Sequence, residues 1–253
     1  MRKLLIAATF ALALGAGGGA QAAGEAVPPP NHAWSFEGMF GTYDRAALRR
    51  GFQVYQTVCA ACHGLRLVAY RNLTEIGFTV DEVREIAGAL EMTDGPDDQG
   101  ETFVRPARAS DRFVSPFPNP QAARAANNGA LPPDLSLMTK ARKNGPDYMR
   151  AMLTGFQDPP ASVTVMDGMY YNVYFPGRQI AMPPVLTAGA VAYPEGVEAT
   201  PEQMAHDVAT FLTWAAEPEM EARKRLGIKV LFFLIVLTGM LYAVKRHIWA
   251  KIH

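Results

Sequence analysis

The chain has 253 residues, of which 49% are hydrophobic, and it contains 24 basic and 24 acidic side chains. This neutral total hides an asymmetry, because every Asp and Glu lies between residues 23 and 222 whereas nine of the Lys and Arg lie outside that region. The region therefore carries 15 basic and 24 acidic side chains, a net charge of −9, which excludes a nucleic-acid-binding protein.

The first 22 residues have the pattern of a secretory signal peptide. Arg2 and Lys3 precede an apolar run over residues 4–14, and residues 20–22, Ala-Gln-Ala, fit a cleavage site with small residues. The run is too short to cross a bilayer. We therefore predict that residues 23–222 are exported as one domain, which is long enough to build a proper core.

A helix is predicted over residues 44–57. Leu48 and Phe52 follow helical spacing, and Thr42 or Asp44 can cap the first turn. This helix leads the chain directly to its two cysteines.

Those cysteines lie in the sequence Cys59-Ala60-Ala61-Cys62-His63, which has the C-x-x-C-H spacing of a c-type haem attachment site. Each thiol can add to one vinyl group of the same porphyrin, and the following histidine can ligate the iron. Three alternatives stay open from the motif alone: a thioredoxin-like redox pair, half of a zinc site and a plain disulfide. A haem would make one-electron transfer the chemistry of this protein.

An acidic stretch follows the motif and contains eight carboxylates but only one basic residue, Arg84. Such a surface attracts a basic partner, although a solvated loop is the alternative explanation. The carboxylates are those of Asp81, Glu82, Glu85, Glu91, Asp94, Asp97, Asp98 and Glu101.

Gly and Pro are frequent between residues 58 and 199, which predicts long loops with one short helix over residues 147–154. A second long helix is predicted to begin at Thr200, because this N-cap residue is followed by Pro201 and then by Gln203. Its apolar positions share one face, and Pro218 should end or kink it. These positions are Met204, Val208, Phe211, Leu212 and Ala215.

The second axial ligand of a haem iron is usually a histidine or a methionine, and methionine raises the reduction potential. Met182 is the strongest candidate, since Pro183 and Pro184 stiffen the backbone that follows it. Weaker candidates are Met138, Met166 and Met169. His206 is expected to be a surface or partner contact.

The segment 226–244 is apolar around its whole circumference and long enough to span a bilayer as a helix. Basic residues flank both of its ends, so local charge orients it weakly. Because the signal peptide directs export of the preceding domain, residues 223–245 are predicted to be the anchor and residues 246–253 a cytoplasmic tail. The expected location is the bacterial inner membrane, with the large domain in the periplasm.

From residue 34 to residue 249 the chain resembles the cytochrome c1 family, the haem-bearing subunits of quinol–cytochrome c oxidoreductase (the bc1 complex). C-x-x-C-H alone would indicate only a c-type cytochrome, whereas the combination of blocks is specific. The matching blocks are residues 49–55, 127–136, 171–177, 181–184 and 214–218.

The resemblance implies a mainly α-helical, class I cytochrome c-like haem domain with long loops and one C-terminal transmembrane helix. It implies one haem, bound covalently through Cys59 and Cys62, with His63 and Met182 as iron ligands. It further implies the remaining haem contacts, with Arg142 or else Arg124 pairing with a propionate. These contacts are Asn127, Ala130, Pro132, Pro133, Arg142, Tyr148 and Phe175.

The resemblance also implies an electron route from a Rieske iron–sulfur protein to a soluble or tethered cytochrome c, which the acidic surface would receive. Cytochrome b would be the subunit that oxidises quinol, the complex would be a dimer, and no bond-making catalysis would occur on this chain. A free-standing membrane-anchored cytochrome is the alternative. The chain has no spare cysteines, so the disulfide-bonded loop of some bacterial members is not expected.

Overall fold

The computed structural model describes residues 27–194 and 196–250, so the predicted signal peptide lies outside the described residues. The α-helices are Arg45–Val54 (α1), Val80–Gly88 (α2), Pro120–Ala126 (α3), Met138–Ala141 (α4), Gly145–Thr154 (α5), Pro201–Ala216 (α6) and Met220–Trp249 (α7). A π-helix, Tyr55–Cys59, continues α1, and a 3-10 helix covers Tyr70–Ile76. The strands are Glu91–Asp94 (β1), Phe103–Pro106 (β2), Tyr170–Tyr171 (β3) and Gln179–Ile180 (β4). The prediction of a mainly helical fold with one C-terminal spanning helix is confirmed.

The helix that leads to the cysteines begins at its predicted cap. The Asp44 carboxylate accepts hydrogen bonds from the amides of Ala46 and Ala47, at 2.8 and 3.2 Å, and so satisfies two donors of the first turn. Asp44, and not Thr42, is therefore the cap. Leu48 and Phe52 are buried in the core as their spacing predicts.

Helix α6 packs across α1 and supplies the other half of the core. Thr200 caps it by accepting a hydrogen bond from the Gln203 amide at 3.1 Å, as predicted. The two helices approach so closely that a β-carbon at Gly51 would lie 2.1 Å from the Asp207 carbonyl oxygen. Glycine is thus required at this crossing, where Phe52 and Phe211 meet edge to face with ring centroids 5.8 Å apart.

Two short antiparallel hairpins were not predicted. Strands β1 and β2 pair with Glu91 opposite Pro106, and β3 and β4 pair with Tyr170 opposite Ile180. Strands of four and two residues carry too little alternation to be recognised in a loop-rich sequence. The first hairpin carries part of the acidic stretch, and the second holds the segment that precedes Met182.

Helix α7 is long and apolar enough to cross a membrane, with a mean hydropathy of 2.2 in its best window and none of that window buried by the rest of the protein. It starts after Pro218, where α6 has ended, as predicted. Its 30 residues span about 45 Å, more than the roughly 30 Å hydrocarbon core. The helix continues to Trp249 and therefore includes residues that the sequence assigned to a tail. The chain is a single-pass membrane protein.

Candidate functional site

The cysteine motif forms one tight turn at the end of the π-helix. The amides of Cys62 and His63 donate to the Cys59 carbonyl oxygen at 3.1 and 2.9 Å. This turn places Cys59, Cys62 and His63 on one side of the chain, and all three are half-buried. The buried Tyr55 hydroxyl donates to the His63 carbonyl oxygen at 3.1 Å and holds the turn in place. The sequence analysis did not predict this role of Tyr55.

The orientation of the His63 ring is set from outside the motif. Its Nδ1 lies 2.8 Å from the Pro133 carbonyl oxygen, which can only accept, so Nδ1 carries the proton. The lone pair is then on Nε2, the arrangement that metal-binding histidines commonly use. Burial also lowers the pKa of His63, so the neutral ring that can bind a metal prevails at neutral pH.

The rival interpretations of the cysteine pair lose support. Both cysteines are free thiols, and burial raises the pKa of Cys59 to about 12. A thioredoxin-like redox cysteine functions as a thiolate, which requires a depressed pKa. Within residues 27–194 and 196–250, no group of three or more His, Cys, Asp or Glu side chains is placed to hold a metal ion.

The loop over residues 127–136 is fastened beside the motif. The Leu135 amide donates to the Gly64 carbonyl oxygen at 2.9 Å, and the Asp134 carboxylate accepts from the Arg66 amide at 2.9 Å. Four predicted haem contacts lie on this loop. Pro133 is the residue that positions His63, whereas Asn127, Ala130 and Pro132 are half-buried along the same stretch.

The structure brings two further predicted contacts together. Tyr148 lies on α5 and packs against the core, and the positive charge of Arg142 is near enough to influence its hydroxyl. Burial raises the pKa of Tyr148, and Arg142 partly opposes that shift. Arg142 is otherwise exposed, while Arg124 donates to the Gly129 carbonyl oxygen at 2.8 Å within its own loop. Arg142 likewise donates to a backbone carbonyl oxygen, that of Ala141 at 3.2 Å. These contacts therefore do not separate the two propionate candidates, and the role of Arg142 stays a prediction.

Met182 lies two positions after the end of strand β4 and is half-buried against the core. The hairpin that holds it is itself secured, since the fully buried Asn172 donates through Nδ2 to the Met152 carbonyl oxygen at 2.8 Å. Phe175 lies half-buried in the turn between β3 and β4. Met182 therefore has a firm backbone on its N-terminal side and two prolines on its C-terminal side, but its role as a ligand stays a prediction.

The other candidate ligands have different surroundings. Met138 is 9% exposed and belongs to the core, where methionine acts as a filler, and Met166 is 62% exposed. Met169 is half-buried in the loop before β3. His206, for which the sequence predicted a surface or partner contact, is half-buried. Its ring stacks on Trp34 with centroids 5.0 Å apart and shares a hydrogen bond of 3.0 Å with His32.

Taken together, these side chains suit a c-type haem. Two free thiols, a neutral imidazole with Nε2 available and a half-buried thioether form the donor set of such a site. The predicted contacts around them are half-buried or exposed, as expected for side chains that a flat apolar group would cover. A cleft of about 380 Å³, lined by residues such as Arg71, Glu75 and Val83, lies elsewhere and contains none of them.

Comparison with known proteins gives the same assignment. Residues 34–252 match the Cytochrome C1 family. The chain is 55% identical over 205 residues to "Cytochrome c1-2, heme protein, mitochondrial" of Solanum tuberosum, covering 81% of this chain and 79% of the relative. It is 46% identical to "Cytochrome c1" of Rhodospirillum rubrum, covering 100% and 98% of the two chains.

A third relative is longer. "Cytochrome b/c1" of Bradyrhizobium diazoefficiens is 48% identical over 99% of this chain, which spans 40% of that protein. The family match and the whole-length relatives agree with the C-x-x-C-H turn and with the single spanning helix. The chain belongs to the cytochrome c1 family, whose members carry a haem as the electron-transfer subunit of the bc1 complex.

Proposed function

We infer that this chain carries electrons from a Rieske iron–sulfur protein to a cytochrome c, as the haem subunit of a membrane complex that also contains cytochrome b. The observation that carries this proposal is the His63 ring, whose Nδ1 is held by the Pro133 carbonyl oxygen beside two free thiols. That arrangement prepares one nitrogen for a metal and two sulfurs for covalent attachment. The name "Cytochrome b/c1" of one relative supports the association with cytochrome b.

Each residue of the site has a separate task. Cys59 and Cys62 would attach the haem, and His63 Nε2 and the Met182 sulfur would bind its iron. When bound, this cofactor supplies a centre that accepts and donates one electron at a time. Asn127, Ala130, Pro132, Pro133, Tyr148 and Phe175 exclude water from its edges, and Arg142 offsets the charge of a propionate.

The domain lies on the periplasmic side of the membrane, with the C-terminus in the cytoplasm. The signal-peptide pattern at residues 1–22 supports this orientation, because it directs export of whatever follows. Helix α7 then returns the chain to the membrane and leaves a short basic end on the opposite side. Electron exchange consequently takes place outside the cytoplasm.

The acidic stretch is the docking surface for a basic cytochrome c. Its carboxylates are not equivalent, since Glu82 and Asp94 form ion pairs with Arg49 and Arg105. Asp97 accepts hydrogen bonds from backbone amides of its own loop. Exposed acids for which the described residues offer no ion-pair partner remain on the same surface. These are Glu85, Glu91, Asp98 and Glu101.

Neutralising Asp98 and Glu101 together (Asp98→Asn with Glu101→Gln) is expected to slow reduction of a basic cytochrome c by about 2–5-fold at low ionic strength. The difference should shrink as salt is added, because the Debye length falls to about 10 Å at 0.1 M. Stopped-flow reduction of cytochrome c at several salt concentrations measures this. The control is Glu198→Gln with Glu202→Gln, which removes the same charge at exposed acids on another part of the chain. If the two double variants reduced cytochrome c at equal rates, the acidic stretch would be a solvated loop and not a docking surface.

Gentle detergent extraction followed by affinity purification tests the proposed complex. A dihaem cytochrome b and a Rieske protein should accompany the chain, and the native mass should correspond to a dimer of the complex. A haem protein recovered alone would favour a free-standing cytochrome. Haem staining of a denaturing gel is the companion measurement, since only covalently bound haem survives, and an unstained band would rule out both cytochrome functions.

A further inference from the structure

The loop over residues 36–42 is fastened to the start of the spanning helix. Lys224 Nζ donates to the carbonyl oxygens of Phe36 and Gly41, at 2.6 and 3.1 Å. The Glu221 carboxylate accepts from the Tyr43 amide and from the Arg45 guanidinium, each at 2.8 Å. Both ends of the loop are therefore held at a defined height on α7.

Two apolar side chains stand at the tip of this loop. Met39 is 57% exposed and Phe40 is 79% exposed. The value for Phe40 is the highest among the large hydrophobic residues of the described part of the chain. Gly38 and Gly41 bracket Met39 and Phe40. Gly38 has a φ of +69°, and a β-carbon at Gly41 would lie 1.9 Å from the Glu37 carbonyl oxygen. Glycines at both positions thus let the turn project Met39 and Phe40 away from the core.

The tip lies at the level where the chain enters the membrane. Met39 and Phe40 line a small cleft together with Lys224, Arg225 and Ile228 of α7. Ile228 already belongs to the apolar segment that starts at residue 226. The exposed side chains are consequently beside the boundary between headgroups and hydrocarbon, where aromatic residues are favoured.

The charges around the tip also suit a lipid surface. Arg223, Lys224 and Arg225 occupy the first turns of α7, and basic residues at this depth attract anionic headgroups. Arg223 is paired with Glu217 and Lys224 is bound to the loop carbonyl oxygens, whereas Arg225 lines the cleft beside the tip without an ion-pair partner among the described residues. An apolar tip beside such a cation is an arrangement by which peripheral segments bind anionic membranes. If water surrounded the tip instead, both apolar side chains would stay exposed to it without any stabilising burial.

We propose that Met39 and Phe40 form a second membrane contact, which inserts into the leaflet where α7 enters and binds anionic lipid there. A domain attached by one helix can tilt and rotate about that helix. The second contact removes this freedom and holds the haem-binding face at a constant orientation to the membrane. The proposal needs only the spanning helix, and does not depend on which proteins exchange electrons with this chain.

A spin label measures the depth of the tip directly. The haem-loaded full chain, carrying Phe40→Cys, is labelled and placed in vesicles of zwitterionic and anionic phospholipid; Cys59 and Cys62 do not react when haem occupies them. The matched control is Val104→Cys, because Val104 is 62% exposed on strand β2, away from the helix. Accessibility to oxygen, which concentrates in the bilayer, is compared with accessibility to a water-soluble nickel chelate.

The oxygen-to-nickel ratio is expected to be several times higher at position 40 than at position 104, and to rise further with the anionic lipid fraction. Equal ratios at the two positions would overturn the proposal. Shielding of position 40 from both reagents in the purified complex would overturn it too, because a protein would then cover the tip. As a second readout, Met39→Ser with Phe40→Ser should broaden the distribution of haem angles in oriented membranes, whereas Val104→Ser should not.

Discussion

Replacing Met182 by leucine is expected to lower the midpoint potential of the haem by a few tenths of a volt, within the roughly 0.8 V range that axial ligands span. Leucine has nearly the volume of methionine but no lone pair, so the iron loses the neutral sulfur ligand that favours its reduced form. The fold should tolerate the change, since Leu and Met exchange at a cost below about 1.5 kcal/mol. Electron delivery to cytochrome c should then stop.

Redox titration of the purified protein, followed through its visible absorption bands, measures the potential. Met169→Leu is the matched control, because Met169 is also half-buried and lies in the same half of the chain. Its potential should stay at the wild-type value. A normal potential for Met182→Leu combined with a lowered one for Met169→Leu would transfer the ligand role to Met169.

The second large effect concerns stability. Replacing Arg50 by alanine is expected to reduce the free energy of unfolding by about 3–5 kcal/mol, the usual cost of breaking a buried ion pair from one side. Asp207 has no exposed side-chain surface, and its two carboxylate oxygens accept from Arg50 Nε and Nη2, each at 2.9 Å. Without Arg50, the carboxylate keeps only the hydrogen bond that the Gln203 side chain donates through Nε2 at 3.1 Å, which is too weak a partner for a buried charge.

The position of this pair increases its importance. It joins α1 to α6 at the same crossing where Gly51 contacts the Asp207 backbone, so its loss loosens the helix that leads to the cysteine motif. Denaturant unfolding of the haem-loaded protein in detergent measures the effect. Arg84→Ala is the control, since its ion pair with Asp81 is exposed at both ends, and the stability should hardly change.

A double variant can show whether the lost stability comes from an uncompensated carboxylate or from the lost packing of the Arg50 side chain. If an uncompensated carboxylate causes it, then Arg50→Leu combined with Asp207→Leu should recover most of the stability, because no buried charge remains. A double variant as unstable as Arg50→Ala would instead point to lost packing. An Arg50→Ala protein as stable as Arg84→Ala would contradict the prediction itself.

Much of the helical framework was predictable from local patterns. Helical spacing of Leu48 and Phe52 identified α1, and Thr200 with Pro201 and Gln203 identified the beginning of α6. The reason is that caps and amphipathic faces depend on residues within one or two turns of each other. The hairpins escaped prediction because their pairing joins residues that are 10 to 15 positions apart, as in Tyr170 and Ile180, or Glu91 and Pro106.

The site shows the same division. The spacing of Cys59, Cys62 and His63 predicted the cofactor, since two thiols and an imidazole within one turn reach a single porphyrin. The proton position on His63 depends on the Pro133 carbonyl oxygen, 70 residues further along the chain. No local pattern contains that hydrogen bond, and the corresponding signal in the sequence was only that residues 127–136 matched a family block.

Composition, motif spacing and hydropathy by themselves determined the cofactor and the spanning helix, and they predicted the export signal, because each depends on residues adjacent in sequence. The tertiary structure decided which acids of the 81–101 stretch are free, which nitrogen of His63 is available, and that Asp207 is paired with Arg50. It also decided that Phe40 lies beside the first turns of α7. These features arise where distant segments meet, and the chain geometry that brings them together is a property of the whole packed core and not of any one segment.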